Sequence, residues 1–389
     1  MKRALVLDAN QRSALAATRS LGLEGLQVFT ADCEARTLSG ASKFSSGSLQ
    51  YPNPATSPAA FLSDLEQQVR AQRIDLLMPM TDLTTMLVVE HAERFAPAQL
   101  ACARSPGYEQ LSVKSALIAR AAGLGLAVPR SEVVQGRDEL LRAASAHAFP
   151  VVVKPSRSKY LAGDAIHSTQ VQIAHSRAEL ETIARQAAWL DHIPGVVQQF
   201  IPGFGAGIFA LGDGNDVVAW FAHRRIREKP PAGGVSVLCE SVAPDVAMLE
   251  AARRLLRSAA WFGPAMVEFR VAADGTPYLM EVNGRFWGSL QLAIDSGVDF
   301  PALLIKLLRG EHITPRADYR TGRRLRWLLG DFDNLLTQLR GHPVSGSRWC
   351  ALRDFAGSFF DGATRQEVLR WSDPRPGLRE SARWLRALV

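Results

Sequence analysis

A chain of 389 residues is too long for one small core, so two or three domains are expected. Its hydrophobic fraction of 47% and charged fraction of 21% are those of an ordinary soluble globular protein. The formal charge of +7 sits on dispersed arginines that concentrate only near the C-terminus. It reads as a solvated basic face, or as a match for a small anion such as a nucleotide, rather than as a nucleic-acid surface.

Four scattered cysteines (Cys33, Cys102, Cys239, Cys350), with no CxxC spacing, argue against a disulfide framework or a zinc site and for a reducing cytoplasm. The opening "MKRALVLDAN" turns polar too quickly for a signal peptide. No apolar run approaches the roughly 18 residues of a membrane helix.

In chain order, "RALVLDA" (3–9) predicts a buried parallel strand, followed by a helix to about Leu21. "LQVFTAD" (26–32) and "IDLLMPMTD" (74–82) predict two more strands, with a helix over 58–72 between them. Strands alternating with helices indicate a doubly wound α/β unit. "LDANQRSAL" stands where a dinucleotide-binding turn would need GxGxxG, so that use is not expected. Residues 107–127 read as one helix with a Gly-rich exit. Further strands are expected over 149–156, 170–176, 195–203 and 207–226, with hairpin turns at Asp213-Gly214 and Asp274-Gly275. A helix over 245–261 precedes a strand pair within 265–283, and a helix over 300–310 follows, with Pro near its start and Gly past its end. Residues 311–389 are Arg- and Trp-rich and expected to be helical.

The stretch "YLMEVNGRFWGSL" carries a carboxylate, an amide and a guanidinium where a core strand should be apolar. A two-residue turn at Asp274-Gly275 opposes Ala273 with Thr276, Glu268 with Glu281 and Met266 with Asn283. Val267, Phe269, Val271, Tyr278, Met280 and Val282 then fall on the other, apolar face. Directly opposed carboxylates repel. A divalent cation offsets that cost, and Mg²⁺ characteristically takes one or two carboxylates plus substrate phosphates. Arg285, just beyond, has the forked donors that grip a phosphate or carboxylate.

With these residues in view, the chain resembles the ATP-grasp superfamily, which includes biotin carboxylase, carbamoyl phosphate synthetase and D-alanine–D-alanine ligase. The likeness covers roughly residues 1–310, and "MVEFR…PYLMEVNGRFWGS" is its most specific part. It implies a mixed α/β and α+β chain. A Rossmann-like N-terminal domain (1–106) would precede a small lobe (107–195) and a large lobe with the metal hairpin (196–310), leaving a C-terminal extension (311–389). It also implies ATP with Mg²⁺, or Mn²⁺ in its place. Glu268, Glu281 and Asn283 become the metal ligands, and Arg285 sits at the phosphate or acyl-phosphate. "VVVKP" would place Lys154 on the nucleotide phosphates, and Lys114 matches a second nucleotide lysine. "VVQQFIPG" looks like the strand that holds adenine, with the Gln198 side chain and backbone groups of Gln199 and Ile201 at the base. The carboxylate that holds the ribose in several relatives is missing from "GFGAG". "SRSKYLAGD" (156–164) falls at the family's mobile phosphate-covering loop. Arg225 matches a basic residue facing the transferred phosphoryl group, with His223 before it on the same strand face. Five cations in the eight residues 222–229, His223 included, would make a poor buried strand without an anion.

The reaction this implies is ADP-forming ligation of a small-molecule carboxylate to an amine through an acyl-phosphate. A carboxylase or carbamoyl-phosphate-type phosphotransfer enzyme is the alternative within catalysis, and a non-catalytic ATP-binding regulator the alternative outside it. No Ser-His-Asp or Cys-His constellation is assembled.

Overall fold

Short, wholly apolar runs can be buried on both faces only in a sheet covered on both sides, and the N-terminal segment is built that way. Strands β1 (Arg3–Val6), β2 (Gln27–Asp32), β3 (Ser45–Gln50), β4 (Leu76–Met78) and β5 (Gln99–Leu100) form a parallel sheet in the order β3-β2-β1-β4-β5. The computed structural model describes residues 1–231, 233–315, 318–341 and 346–388. Helix α1 (Arg12–Leu23) packs with Ala4, Val6 and Met78 on one face. Helices α2 (Pro58–Ala71) and α3 (Asp82–Glu90) pack with Leu5 and Leu77 on the other. β1 ends earlier than expected, at Val6. Beyond it Asp8 takes a left-handed backbone (φ 53°) and accepts hydrogen bonds from Met80 N–H at 3.0 Å and Thr84 Oγ1 at 2.6 Å. A carboxylate thus joins the ends of β1 and β4.

The helix expected over 107–127 is two, α4 (Gly107–Ser112) and α5 (Lys114–Gly123), broken where Val113 is extended (φ −87°, ψ 116°). The small lobe follows: β6 (Ser131–Val134), α6 (Arg137–Ala143), β7 (Val151–Pro155), β8 (Lys159–Ala162), β9 (Ala165–Ser168), β10 (Gln172–Ala174), α7 (Arg177–Gln186) and β11 (Gly195–Gln199). Its antiparallel sheet runs β10-β7-β11-β6, and Val134, Val151, Val153 and Val197 bury one face against α6 and α7 in a separate core. Alternation turns Val152, Lys154, Val196 and Gln198 to the opposite face. The stretch read as a loop (156–164) instead enters the two-stranded hairpin β8–β9. That hairpin rests on the N-terminal unit through Ile166 N–H to the Ala55 carbonyl (2.7 Å) and Arg157 to Glu90 (3.1 Å).

The large sheet takes β12 (Phe204–Asp213), β13 (Val217–Lys229), β14 (Val235–Val242), β15 (Phe262–Val271) and β16 (Pro277–Asn283). Helix α8 (Val246–Ser258) covers one face, and α9 (Leu290–Ser296) and α10 (Phe300–Leu308) lie on the other. The C-terminal segment is not only helical. β17 (Arg324–Arg326) and β18 (Thr364–Gln366) extend the sheet to the order β16-β15-β12-β13-β14-β17-β18. Helices α11 (Leu328–Arg340), α12 (Arg348–Gly357) and α13 (Arg375–Leu388) surround them. Two hydrophobic cores run without interruption from the N-terminal sheet into the large one.

Candidate active site

The carboxylates meet as the sequence predicts, by a different route. Met266 opposes Asn283 and Glu268 opposes Glu281, but the connection is a three-residue loop, since Ala272 N–H bonds the Thr276 carbonyl at 3.0 Å. A bulge at Met280 restores the register, because Phe269 pairs with Leu279 and Glu268 with Glu281. Leu279, 3% exposed, therefore joins the core face, where Tyr278 and Met280 were expected. Met280 turns instead to the cleft, its Sδ 3.8 Å from Lys154 Nζ.

Asn283 directs its amide nitrogen between the pair, 3.0 Å from Glu268 Oε1 and 3.2 Å from Glu281 Oε1. A half-turn of that amide would offer its oxygen beside the carboxylates instead. Burial and the neighbouring Glu281 push Glu268 up to about 7. Glu281 goes the other way: burial alone would raise it, but Lys114 (Nζ to Oε2 3.6 Å), Asn283 and Lys154 together hold it below the usual carboxylate range. Among the described residues no group of three or more His, Cys, Asp or Glu is placed to hold a metal ion. Two carboxylates and an amide oxygen form an incomplete all-oxygen set, which fits a hard cation that also takes phosphate oxygens.

The small-lobe sheet brings its cleft face over this hairpin. Lys154 is 8% exposed, and burial lowers its pKa to about 8 despite the attraction of Glu281. Lys114 is placed by its own N–H, bonded to the Ser156 carbonyl at 2.9 Å just past β7. Gln198 is buried and spends one amide N–H on Ser131 Oγ (2.8 Å). Gln199 N–H goes to the Arg130 carbonyl (2.8 Å), and the Ile201 carbonyl accepts from Arg270 Nε (3.2 Å). What these two backbones retain for a base edge is the Gln199 carbonyl and the Ile201 N–H.

Of the cations on β13, one reaches the carboxylate pair. Arg225 lies over Gly205, with Nη1 3.0 Å from Glu228 and Nη2 3.4 Å from Glu268. Arg224 pairs with Glu240, Arg227 with Asp331 and Lys229 with Asp333. His223 is no cation: burial, reinforced by Arg225, lowers it to about 3, and its ring packs 4.7 Å from Phe209. The expected anion-facing strand is thus largely neutralised by carboxylates of the protein itself.

Arg285 is held rather than free. Its Nε and Nη2 meet Asp82 at 2.7 and 3.2 Å, and its Nη1 donates to the Phe286 carbonyl at 3.0 Å. Asp82, at the start of α3, and the cleft-facing Met280 were not anticipated. The first sits in unremarkable "MTDLTT" and the second is exposed to the cleft only by the bulge. Asp82, Tyr108, Lys114, Lys159, Glu281 and Asn283 line one cleft between the N-terminal unit, the small lobe and the hairpin.

A small antiparallel lobe closing on a larger sheet, with opposed carboxylates at the seam, is the ATP-grasp arrangement, and the chain has that fold and is similar to members of that superfamily. Residues 196–330 match the family model described as ATP-grasp in the biosynthetic pathway with Ter operon. Over 176 residues the chain is 32% identical to a D-alanine–D-alanine ligase of Anaeromyxobacter sp. (strain K), covering 42% of this chain and 54% of that one. Over 195 residues it is 28% identical to the carbamoyl phosphate synthase large chain of Gemmatimonas aurantiaca, 48% of this chain and 17% of the other. The chain thus spans about half the length of the ligase, and far less of the synthase. Its fold is that of biotin carboxylase from Campylobacter jejuni (TM-score 0.66, 16% identity, 82% and 74% of the two chains). It is equally that of an L-amino acid ligase from Bacillus licheniformis (TM-score 0.63, 20% identity, 83% and 78%). Among the described residues no helix is long and apolar enough to cross a membrane.

Proposed function

We propose that the protein is an ADP-forming ligase that activates a small carboxylate with ATP as an acyl-phosphate and transfers the acyl group to an amine. The observation that carries this reading is the Glu268–Glu281 pair with Asn283 between them, facing the buried Lys154 and Lys114 across one cleft. In this reading Glu268, Glu281 and Asn283 hold Mg²⁺. When bound, the ion supplies charge neutralisation at the phosphates.

Lys154 and Lys114 bind phosphate oxygens as compact charges. Gln198 and the remaining backbone groups of Gln199 and Ile201 orient the base. Arg225, with spare donors beside Glu268, stabilises charge that develops on the transferred group. Arg285 takes a more limited part than the sequence implied, since Asp82 already occupies its fork. It fixes the wall of the cleft and offers the acyl-phosphate its remaining N–H bonds. The work is positioning and electrostatics, as phosphoryl transfer requires.

The likeness to a D-alanine–D-alanine ligase and an L-amino acid ligase supports amide formation. The likeness to biotin carboxylase keeps bicarbonate as a second candidate acid. ADP release measured against a panel of acids and amines, with bicarbonate as one member, tests both. ¹⁸O from the stimulating carboxylate should appear in the released phosphate. Label in AMP would overturn the acyl-phosphate route. ATP binding with no acid or amine stimulating ADP release would favour the regulator.

A further inference from the structure

A second cavity, of about 410 Å³, opens on the far side of Arg12, between the carboxyl ends of the N-terminal strands and the C-terminal helices. Its size is that of a small-molecule site, and crevices outside the carboxyl ends of a parallel sheet are where such sheets take ligands. Two indoles form its walls and are fixed by their own N–H groups, Trp327 to Glu380 at 2.8 Å and Trp384 to Asp333 at 2.9 Å. Phe332 supports Trp384 edge-on at 5.4 Å, and Arg12 stacks on Trp327 at 4.2 Å.

The polar groups around these walls are unevenly spent. Asp333 already receives Lys229 and the Trp384 indole, and Glu380 receives the other indole. Burial pushes Glu380 up to about 7, so it is protonated in part at neutral pH. The unspent groups are donors. Asn10 gives its oxygen to Leu38 N–H at 3.1 Å, while its amide nitrogen is buried without a partner among the described residues. Arg379 donates to the Arg36 carbonyl at 3.0 Å and is in no ion pair among the described residues, whereas its neighbour Arg383 pairs with Glu34 at 3.1 Å. Flat apolar walls with surplus donors suit a flat apolar ligand that carries an acceptor-rich anion.

We infer that this cavity is a binding site for a small aromatic carboxylate, whose ring lies against Trp384 and whose anion meets Arg379. It is separate from the nucleotide cleft and stands whether or not the ligase reading holds. Because the cavity lies apart from the cleft where the γ-phosphate would be attacked, the carboxylate acts there as an effector of the chain.

Isothermal titration of the full chain with phenylacetate tests the site, with 2-phenylethanol and 2-phenylethylamine as neutral and cationic controls of the same shape. The acid should saturate with a Kd of about 1 mM or tighter, what some ten heavy atoms can supply, and the controls should bind at least about tenfold more weakly. Arg379→Gln, at the rim, should weaken the acid about fivefold and leave ATP affinity unchanged. Trp384→Leu should abolish acid binding. Trp384→Phe, which keeps a ring, should retain part of it, which separates lost contact from misfolding. A changed rate of ADP release without consumption of the acid is expected, and consumption of the acid would overturn the effector role. Equal binding of acid, alcohol and amine would overturn the inference. So would no saturation by phenylacetate or indole-3-acetate up to about 20 mM.

Discussion

At the scale of the residue, Lys154 shows how burial and function oppose each other. Burial lowers its pKa from 10.5 to about 8, so the folded chain gives up this proton at a pH where the unfolded chain keeps it. Stability from this group therefore rises as pH climbs from about 8 towards 10.5, while its value to a phosphate, as an ammonium, is lost. ATP affinity should weaken roughly tenfold between about pH 7.5 and 9.5, and Lys154→Arg, always charged, should flatten that profile in parallel titrations. Glu281→Gln removes one ligand charge and one like-charge contact. It also removes the counter-charge of Lys114, so it should cost Mg²⁺-dependent turnover about 100-fold or more with a modest fall in melting temperature. Full Mg²⁺-dependent activity in that variant would refute the metal assignment. The Glu268/Glu281/Asn283 set was legible because hairpin geometry links residues close in sequence. The fate of Arg227 and Lys229 was not, because their partners Asp331 and Asp333 lie about a hundred residues downstream and nothing local announces them.

At the scale of the element, the β8–β9 hairpin, β17 and β18 escaped the sequence because three or four residues leave too short a pattern to separate strand from loop. Val113 broke a helix that periodicity alone would have continued, and that break sets the Lys114 N–H beside β7. The Asp82–Arg285 bridge ties α3 to the segment just past β16, which bears Glu281. Both side chains are partly exposed, so the bridge contributes only about 1 kcal/mol to stability, and its larger effect is orientation. Asp82→Asn should lower turnover about tenfold while ATP affinity and melting temperature change little, as steady-state kinetics beside nucleotide titration would show. A large fall in melting temperature instead would make the bridge chiefly structural.

At the scale of the whole molecule, the hydrophobic cores divide the chain unequally. The N-terminal sheet and the large sheet share two cores, whereas the four-stranded small-lobe sheet with α6 and α7 is filled by its own, and the β8–β9 hairpin touches the first core through Ile166. Such a lobe can open while exposing little of the other cores beyond Ile166. Backbone amides of 159–168 should therefore exchange faster than those of β12 and β15, and ATP with Mg²⁺ should slow them several-fold. Hydrogen exchange with and without nucleotide checks this, and protection spread evenly over the molecule would contradict a separately moving lobe. The mixed α/β character and the ATP-grasp fold were legible from strand–helix alternation and the hairpin motif. The participation of residues 324–366 in the large sheet was not.

The bulge at Met280 has an effect like that of one extra letter in a reading frame. It lets two consecutive residues, Met280 and Glu281, face the cleft, where strict alternation would send one of them into the core. Excising Met280 would close the ladder into regular pairing, Leu279 still against Phe269 and Glu281 still against Glu268. Excising Leu279 would leave the same frame, with Met280 in its place against Phe269, a volume-conserving exchange in the core. Two deletions one codon apart should thus converge, each sparing the fold and the carboxylate pair and each removing the thioether beside Lys154, as melting temperature and Mg²⁺-dependent turnover of the two variants would show.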